Sequence, residues 1–162
     1  MKIEGKNGTY CACRYTIESK KKINHWMSEN SIPNPIDVEK LHTTVIYSRV
    51  EIPIDRIFDA LARIAIKDIE LGIKGFDKFE ISPGSNKYAL VALLDAEILE
   101  RFHLTLRTYG ATHDFPEYHP HVTLSYNIPD EFDISSISIP NFKLLAEDIY
   151  FEPLNLNWEL EN

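Results

Sequence analysis

Cysteine is scarce in this chain. Cys11 and Cys13 are the only two in 162 residues, and two positions apart in a strand-like run they are poorly placed to bond to each other. A reducing intracellular compartment is therefore expected. Long apolar runs are missing too. No segment approaches the roughly 20 apolar residues of a membrane helix, and the opening MKIEGKNGTY lacks the apolar stretch of a signal peptide. The expected location is cytoplasmic, with no membrane contact. Positive charge is also in deficit. With 17 Lys and Arg against 25 Asp and Glu, the net charge is −8, which argues against a surface that grips long nucleic acid through many phosphate contacts. One small nucleotide in a pocket stays possible, because a few local groups decide its affinity. Low-complexity segments and charged tails are absent.

What remains is ample for a folded domain. Apolar residues make up 44% of the chain, enough for a real core, and the length suits one compact domain spanning residues 1–162. GTYCACRYTI (8–17) alternates aromatic and small residues like a strand. ESKKKINHWMSEN (18–30) sets Ile23, Trp26 and Met27 at helical spacing. Two prolines mark 31–37 as a loop, and KLHTTVIYS (40–48) is rich in β-branched and aromatic residues, hence a strand. A helix is expected over 54–66, two strands between 70 and 81, a turn at 82–86, and a nearly continuous apolar strand over 87–94 that is central or buried on both faces. AEILERFHLTLRTYG (96–110) reads as an amphipathic helix closed by Gly110. A strand then opens at 121, a polar loop covers 127–140, and strands lie near 142–152 and 154–159. Strands outnumber any clean βαβ alternation, so the class is α+β.

One weak repeat carries the chemistry. HTTVIYS (42–48) and HVTLSYN (121–127) share the pattern His-x-Thr, apolar, any residue, Tyr. In a strand, residues i and i+2 point to one face, about 7 Å apart along the chain. Each motif therefore sets an imidazole beside a hydroxyl: His42 with Thr44, and His121 with Thr123. If the two strands face one groove, the site gains two imidazoles and two hydroxyls in a pseudo-twofold arrangement. That set fits in-line phosphoryl chemistry with no metal and no cofactor. One imidazole can take a proton from the attacking oxygen while the other protonates the leaving oxygen, since imidazole titrates near neutral pH. The threonine hydroxyls can donate to non-bridging phosphate oxygens. By simple parity, Tyr47 and Tyr126 fall on the opposite face and read as packing residues.

With HTTV and PHVTLSY in hand, the sequence resembles the two-histidine (2H, LigT-like) phosphoesterases across most of its length. The resemblance implies a two-lobed α+β fold with pseudo-twofold symmetry, in which antiparallel sheets line a central cleft and helices lie outside. It also implies metal-independent cleavage of 2′,3′-cyclic phosphates, 2′–5′ linkages or cyclic oligonucleotides. Within that superfamily the chain is most similar to the small bacteriophage anti-CBASS phosphodiesterases, which destroy cyclic di- and trinucleotide alarm signals. Supporting features are GTYCACRYTI, LHTTVIYS and the C-terminal EPLNLNWEL. The likeness implies substrate contacts from Glu152 and Trp158, with Tyr10 as a third candidate, a host-cell cytoplasmic location, and no obligate protein partner.

Other residues have plainer readings. His119-x-His121 has a metal-like spacing, and Cys11-x-Cys13 could complete a Cys₂His₂ set if the strands were neighbours, but that leaves His42-x-Thr44 unexplained. His119 is read as a strand-entry residue beside the cleft. His25, His103 and His113 lack a partner motif and are read as structural or solvated, and Trp26 as core. The Lys20–Lys22 run is a solvated helix face or a steering patch for an anion. Two other functions fit the motifs: an RNA 2′,3′-cyclic phosphodiesterase or 2′–5′ ligase-like enzyme, and a module that binds nucleotides without cleaving them. Intact motifs count against the second, and the acidic charge counts against the first.

Overall fold

The computed structural model describes residues 7–55, 59–60 and 69–155. In chain order it contains β1 (Asn7–Tyr15), α1 (Ile17–Glu29), β2 (His42–Ser48), β3 (Glu70–Glu80), β4 (Tyr88–Asp95), α2 (Glu97–Thr108), β5 (His121–Ile128) and β6 (Lys143–Asn155), with short 3₁₀ turns at Val38–Lys40 and Ile134–Ser136. The strands form one antiparallel sheet in the order β2-β1-β6-β3-β4-β5. The α+β class follows directly. No helix among the described residues is long and apolar enough to cross a membrane.

Local chemistry fixes both described helices. The Thr16 side chain caps α1 by accepting from the Ser19 amide at 3.2 Å. Ile23, Trp26 and Met27 are buried on one face, and Trp26 stacks on Phe76 of β3 with ring centroids 5.4 Å apart. The Ser19 hydroxyl accepts from the Leu145 amide at 2.8 Å, fastening α1 to β6. Helix α2 buries Leu99, Phe102, His103 and Leu106 and packs on β2. It ends in a Schellman motif: the Gly110 amide donates to Arg107 O and the Ala111 amide to Leu106 O. Gly110 takes φ of +106°, which a side chain would resist.

Two expectations about the strands need correction. The pair expected between 70 and 81 is the single strand β3, because a register shift between Ile73 and Gly75, which leaves Lys74 as the one extra residue, does not end the ladder to β4. The pair expected at 142–152 and 154–159 begins as one strand, β6, running through Pro153. Proline is tolerated there because β6 pairs with β3 only at residues 143–145, so beside Pro153 it has β1 alone for a neighbour. Residues 156–159 lie outside the described residues. Of the helix expected over 54–66, positions 54, 55, 59 and 60 are helical and the rest lies outside that set.

Sheet order puts β2 and β5 at opposite ends, yet the two outer strands lie against each other. The sheet curls until its edges meet. The 33–36 segment, which leads into β2, is fastened to β5: the Ile36 amide donates to Leu124 O at 2.8 Å, and the Ser125 hydroxyl bonds Pro33 O and Asn34 O.

At Gly8, β1 passes close to the end of β2. A Cβ there would lie 1.9 Å from Ser48 O, well inside contact distance and against backbone that cannot swing away. Gly8→Ala should therefore destabilise the fold by about 1–3 kcal/mol or more, read as a lowered thermal midpoint with unchanged secondary structure. An unchanged midpoint would contradict this packing.

Candidate active site

Strand register sorts the residues of the curled sheet into faces. Along β1, Tyr10, Ala12 and Arg14 share one face, and their cross-strand partners on β2 are Tyr47, Thr44 and His42. On the other side, their partners on β6 are Glu152, Tyr150 and Asp148. Three rows therefore cross the sheet: His42–Arg14–Asp148, Thr44–Ala12–Tyr150 and Tyr47–Tyr10–Glu152. The opposite face of β1 buries Cys11, Cys13 and Tyr15 in the core.

The register explains a residue that parity misplaced. Ala12 opposes Thr44 while Cys11 opposes Ile46, so Val45 is an extra residue, a bulge. A bulge reverses alternation beyond it, and Tyr47 returns to the face of His42 and Thr44 rather than the opposite one. β5 repeats the device at the same motif position. Val91 opposes Thr123 and Leu90 opposes Ser125, which leaves Leu124 extra and carries Tyr126 back to the face of His121 and Thr123. Tyr126 is 53% exposed, as a residue packed into a core would not be. Both tyrosines of the repeat thus share the faces of their histidines.

The two histidines are held alike. The Nδ1 of His42 lies 2.8 Å from Lys40 O, and that of His121 lies 2.9 Å from His119 O. In each case the carbonyl two residues upstream can only accept, so in the neutral ring Nδ1 carries the proton and Nε2 is left with its lone pair free. Both imidazoles and both threonine side chains are half-buried at the surface of their strands. Phe79 of β3 meets His121 edge-on at 6.5 Å between centroids.

Around His42 and Thr44 the face is aromatic. Tyr10 Oη lies 3.0 Å from Thr44 Oγ1, and its ring packs edge-on against Tyr47 at 6.4 Å and Tyr150 at 6.2 Å. Burial pushes the Tyr10 phenol well up, with Tyr150 and Glu152 adding to the rise against the Thr44 hydrogen bond. It stays a neutral O–H that can donate to Thr44. Arg14 makes a bidentate pair with Asp148, both contacts at 2.9 Å, and lies over the Tyr150 ring at 4.2 Å. Glu152 is exposed beside Tyr10. The sequence-predicted set of Tyr10, His42, Thr44 and Glu152 therefore falls on one continuous face, with His121 and Thr123 on the adjoining strand. Trp158 lies outside the described residues. Arg14 and Tyr150 were missed, although Arg14 stands four residues from Tyr10 in a strand and so shares its face by parity.

The zinc alternative fails on the cysteines. Cys11 and Cys13 are buried on the core side, and burial pushes the Cys13 thiol up to about 12, far from the thiolate a metal needs. Among the described residues, no three His, Cys, Asp or Glu side chains are grouped to hold a metal ion. His119 is exposed and pairs with Glu117 at 3.0 Å, and its carbonyl serves His121. His25 is exposed and pairs with Glu29.

His103 is buried behind β2. Its Nδ1 donates to Val45 O at 2.7 Å, and its ring stacks on Tyr118 with centroids 4.2 Å apart. Burial lowers its pKa, and His113 and Arg107 nearby push in the same direction against the Val45 hydrogen bond.

A model of the family described as anti-CBASS protein Acb1 matches residues 7–161. The chain is 33% identical over 159 residues to anti-CBASS protein Acb1 of Yersinia phage phiR1-RT, covering 96% of this chain and 94% of that protein. It is 32% identical over 151 residues to the protein of the same name from Enterobacteria phage T4, with 93% and 91% covered. Among solved structures, E. coli LigT complexed with 3′-AMP aligns with a TM-score of 0.56 at 19% identity over 92% of this chain and 95% of that one. That likeness establishes a shared fold.

The lowered His103 pKa gives a stability prediction with a definite sign. The unfolded chain binds this proton near pH 6.5 while the folded chain does not. The stabilisation is complete above about pH 6.5 and is lost as pH falls through the lower folded value. Asp114, held low chiefly by its hydrogen bond to Arg49, titrates below this window. Thermal midpoints at pH 7.5 and 5.5 should fall with acid, and His103→Gln, which keeps a donor but no titrating group, should flatten that slope. An equal slope in the variant would assign the acid sensitivity elsewhere.

Proposed function

The chain belongs to the Acb1 family of anti-CBASS proteins, and from that membership we propose that it is a phosphodiesterase that opens cyclic di- and trinucleotide signals and so blunts CBASS immunity in the host cell. One observation carries the reading: two imidazoles on adjoining edge strands are each fixed through Nδ1 by the carbonyl two residues upstream. In the proposed site the two Nε2 nitrogens face one phosphate, one able to take a proton while the other gives one.

In the proposed reaction, one of His42 and His121 accepts the proton of a ribose 2′-OH through Nε2. The freed oxygen attacks the neighbouring phosphorus in line, forming the 2′-O–P bond as the 5′-O–P bond breaks. The other imidazole, protonated at the outset, gives its Nε2 proton to the departing 5′ oxygen. The ring opens to a 2′,3′-cyclic phosphate, and water can then attack with the roles reversed to leave a 3′-phosphate. Thr44 and Thr123 donate to the non-bridging oxygens. Thr44 is suited to this because the Tyr10 phenol can satisfy its acceptor lone pair and leave its hydroxyl hydrogen for the phosphate. Charge on the phosphorane is then met by hydroxyl and imidazolium groups, so the mechanism calls on no metal.

Tyr10, Tyr47 and Tyr150 supply π-faces for a nucleobase, and Glu152 beside them can accept from an exocyclic amine. Trp158 completes the proposed substrate set as a stacking residue. The compact acidic domain suits a small cyclic ligand better than an RNA chain.

The test is turnover in excess EDTA on 3′,3′-cyclic dinucleotides, cyclic trinucleotides and RNA ending in a 2′,3′-cyclic phosphate, with products resolved chromatographically. Cyclic oligonucleotides should open, and His42→Ala or His121→Ala should each lose roughly 10²–10⁴-fold in rate. Cleavage confined to RNA ends would move the substrate to that class, and binding without cleavage of any of them would make the protein a nucleotide-binding module.

A further inference from the structure

We infer that Tyr118, braced by His103, is a positioning residue that sets the spacing between the two His-x-Thr motifs; its effect on rate rests on the phosphodiesterase reading above. Tyr118 belongs to the segment leading into β5, three residues ahead of His121. Its phenol donates across to Thr44 O, in the other motif, at 2.7 Å. The next carbonyl along β2, Val45 O, accepts from His103 Nδ1 at the same distance. These are the two peptide carbonyls at the bulge, where the ladder to β1 slips by one residue. A bulge on an outer strand is a weak point in a sheet, and here side-chain donors hold it on consecutive residues.

The two donors also hold each other. The His103 and Tyr118 rings are nearly parallel, 8° apart at 4.2 Å, and His113 closes the stack edge-on to His103 at 4.6 Å. His113 is itself anchored to Glu117 O at 3.0 Å, which fixes the segment immediately before Tyr118. One residue after Tyr118, His119 O receives the proton of His121 Nδ1. An unbroken path therefore runs from the Thr44 peptide through the Tyr118 phenol, along two residues of backbone, to the imidazole of His121. No atom of this path needs to touch substrate.

The physical consequence is a fixed separation. In-line transfer requires base and acid on opposite sides of one phosphorus, and a misplacement of about 1 Å can cost on the order of 10²-fold. The only covalent route between the two motifs runs through β3, β4 and α2. The Tyr118 phenol shortens that route to one hydrogen bond.

The substitution that isolates the strut is Tyr118→Phe, which keeps the stacked ring and removes only the phenol. On a 3′,3′-cyclic dinucleotide, kcat should fall roughly 10- to 100-fold with KM within about twofold, because the bases and phosphate still meet the same side chains. His103→Leu should reproduce part of that loss and His103→Gln, which restores a donor to Val45 O, should recover it. Imidazole resonances of His42 and His121 in NMR spectra should shift in Tyr118→Phe whether or not the protein turns over. An unchanged kcat with only a lowered thermal midpoint would overturn the inference and leave Tyr118 a packing residue. If the wild-type protein opened no cyclic dinucleotide, the functional reading would fall by itself; the strut would then stand on shifted imidazole resonances and fall on unshifted ones.

Discussion

The meeting of two sheet edges is the constraint on which everything else depends. Outer strands present unpaired N–H and C=O groups, which proteins must pair, cover or expose. Here the order β2-β1-β6-β3-β4-β5 leaves β2 and β5 outermost, and curling brings them together. The Tyr118 phenol, ahead of β5, reaches the Thr44 carbonyl of β2, and the 33–36 segment that leads into β2 is hydrogen-bonded to β5.

Symmetry then follows from two small backbone devices used twice. Each motif histidine is held by a carbonyl two residues before it, and each motif strand bulges after its threonine. The first device fixes which ring nitrogen carries the proton. The second returns the motif tyrosine to the same face, so that the histidine, threonine and tyrosine of each motif share a face where simple alternation would put the tyrosine opposite. The halves differ in their surroundings. The face of His42 also carries Arg14, Tyr10, Tyr47, Tyr150 and Glu152, whereas His121 meets Phe79. The pseudo-twofold repeat of the motifs is thus embedded in an asymmetric frame.

Much of this was legible in the sequence because it rests on short-range rules. Helices α1 and α2 follow from apolar spacing and from Gly110, and the motif strands from their β-branched content. The pairing of His42-x-Thr44 with His121-x-Thr123 is visible as a repeat. What was not legible depends on register. Strand alternation gives the face of Thr44 correctly but fails at Tyr47 and Tyr126, because a bulge is set by how neighbouring strands pair and leaves no local mark. Pro153 looked like a strand break because its tolerance depends on where β3 stops pairing with β6. Tyr118 had no motif to announce it. Its partner is a backbone carbonyl 74 residues away in sequence, and any residue can supply a carbonyl.

In the proposed reaction both His-x-Thr motifs grip a single phosphate. A crystal structure with a 2′-deoxy 3′,3′-cyclic dinucleotide, which lacks the attacking hydroxyl that the reaction needs, would show this grip. One phosphorus should lie between the Nε2 atoms of His42 and His121, with its non-bridging oxygens on the Thr44 and Thr123 hydroxyls. A phosphate bound to one motif alone, or seated away from both, would contradict it.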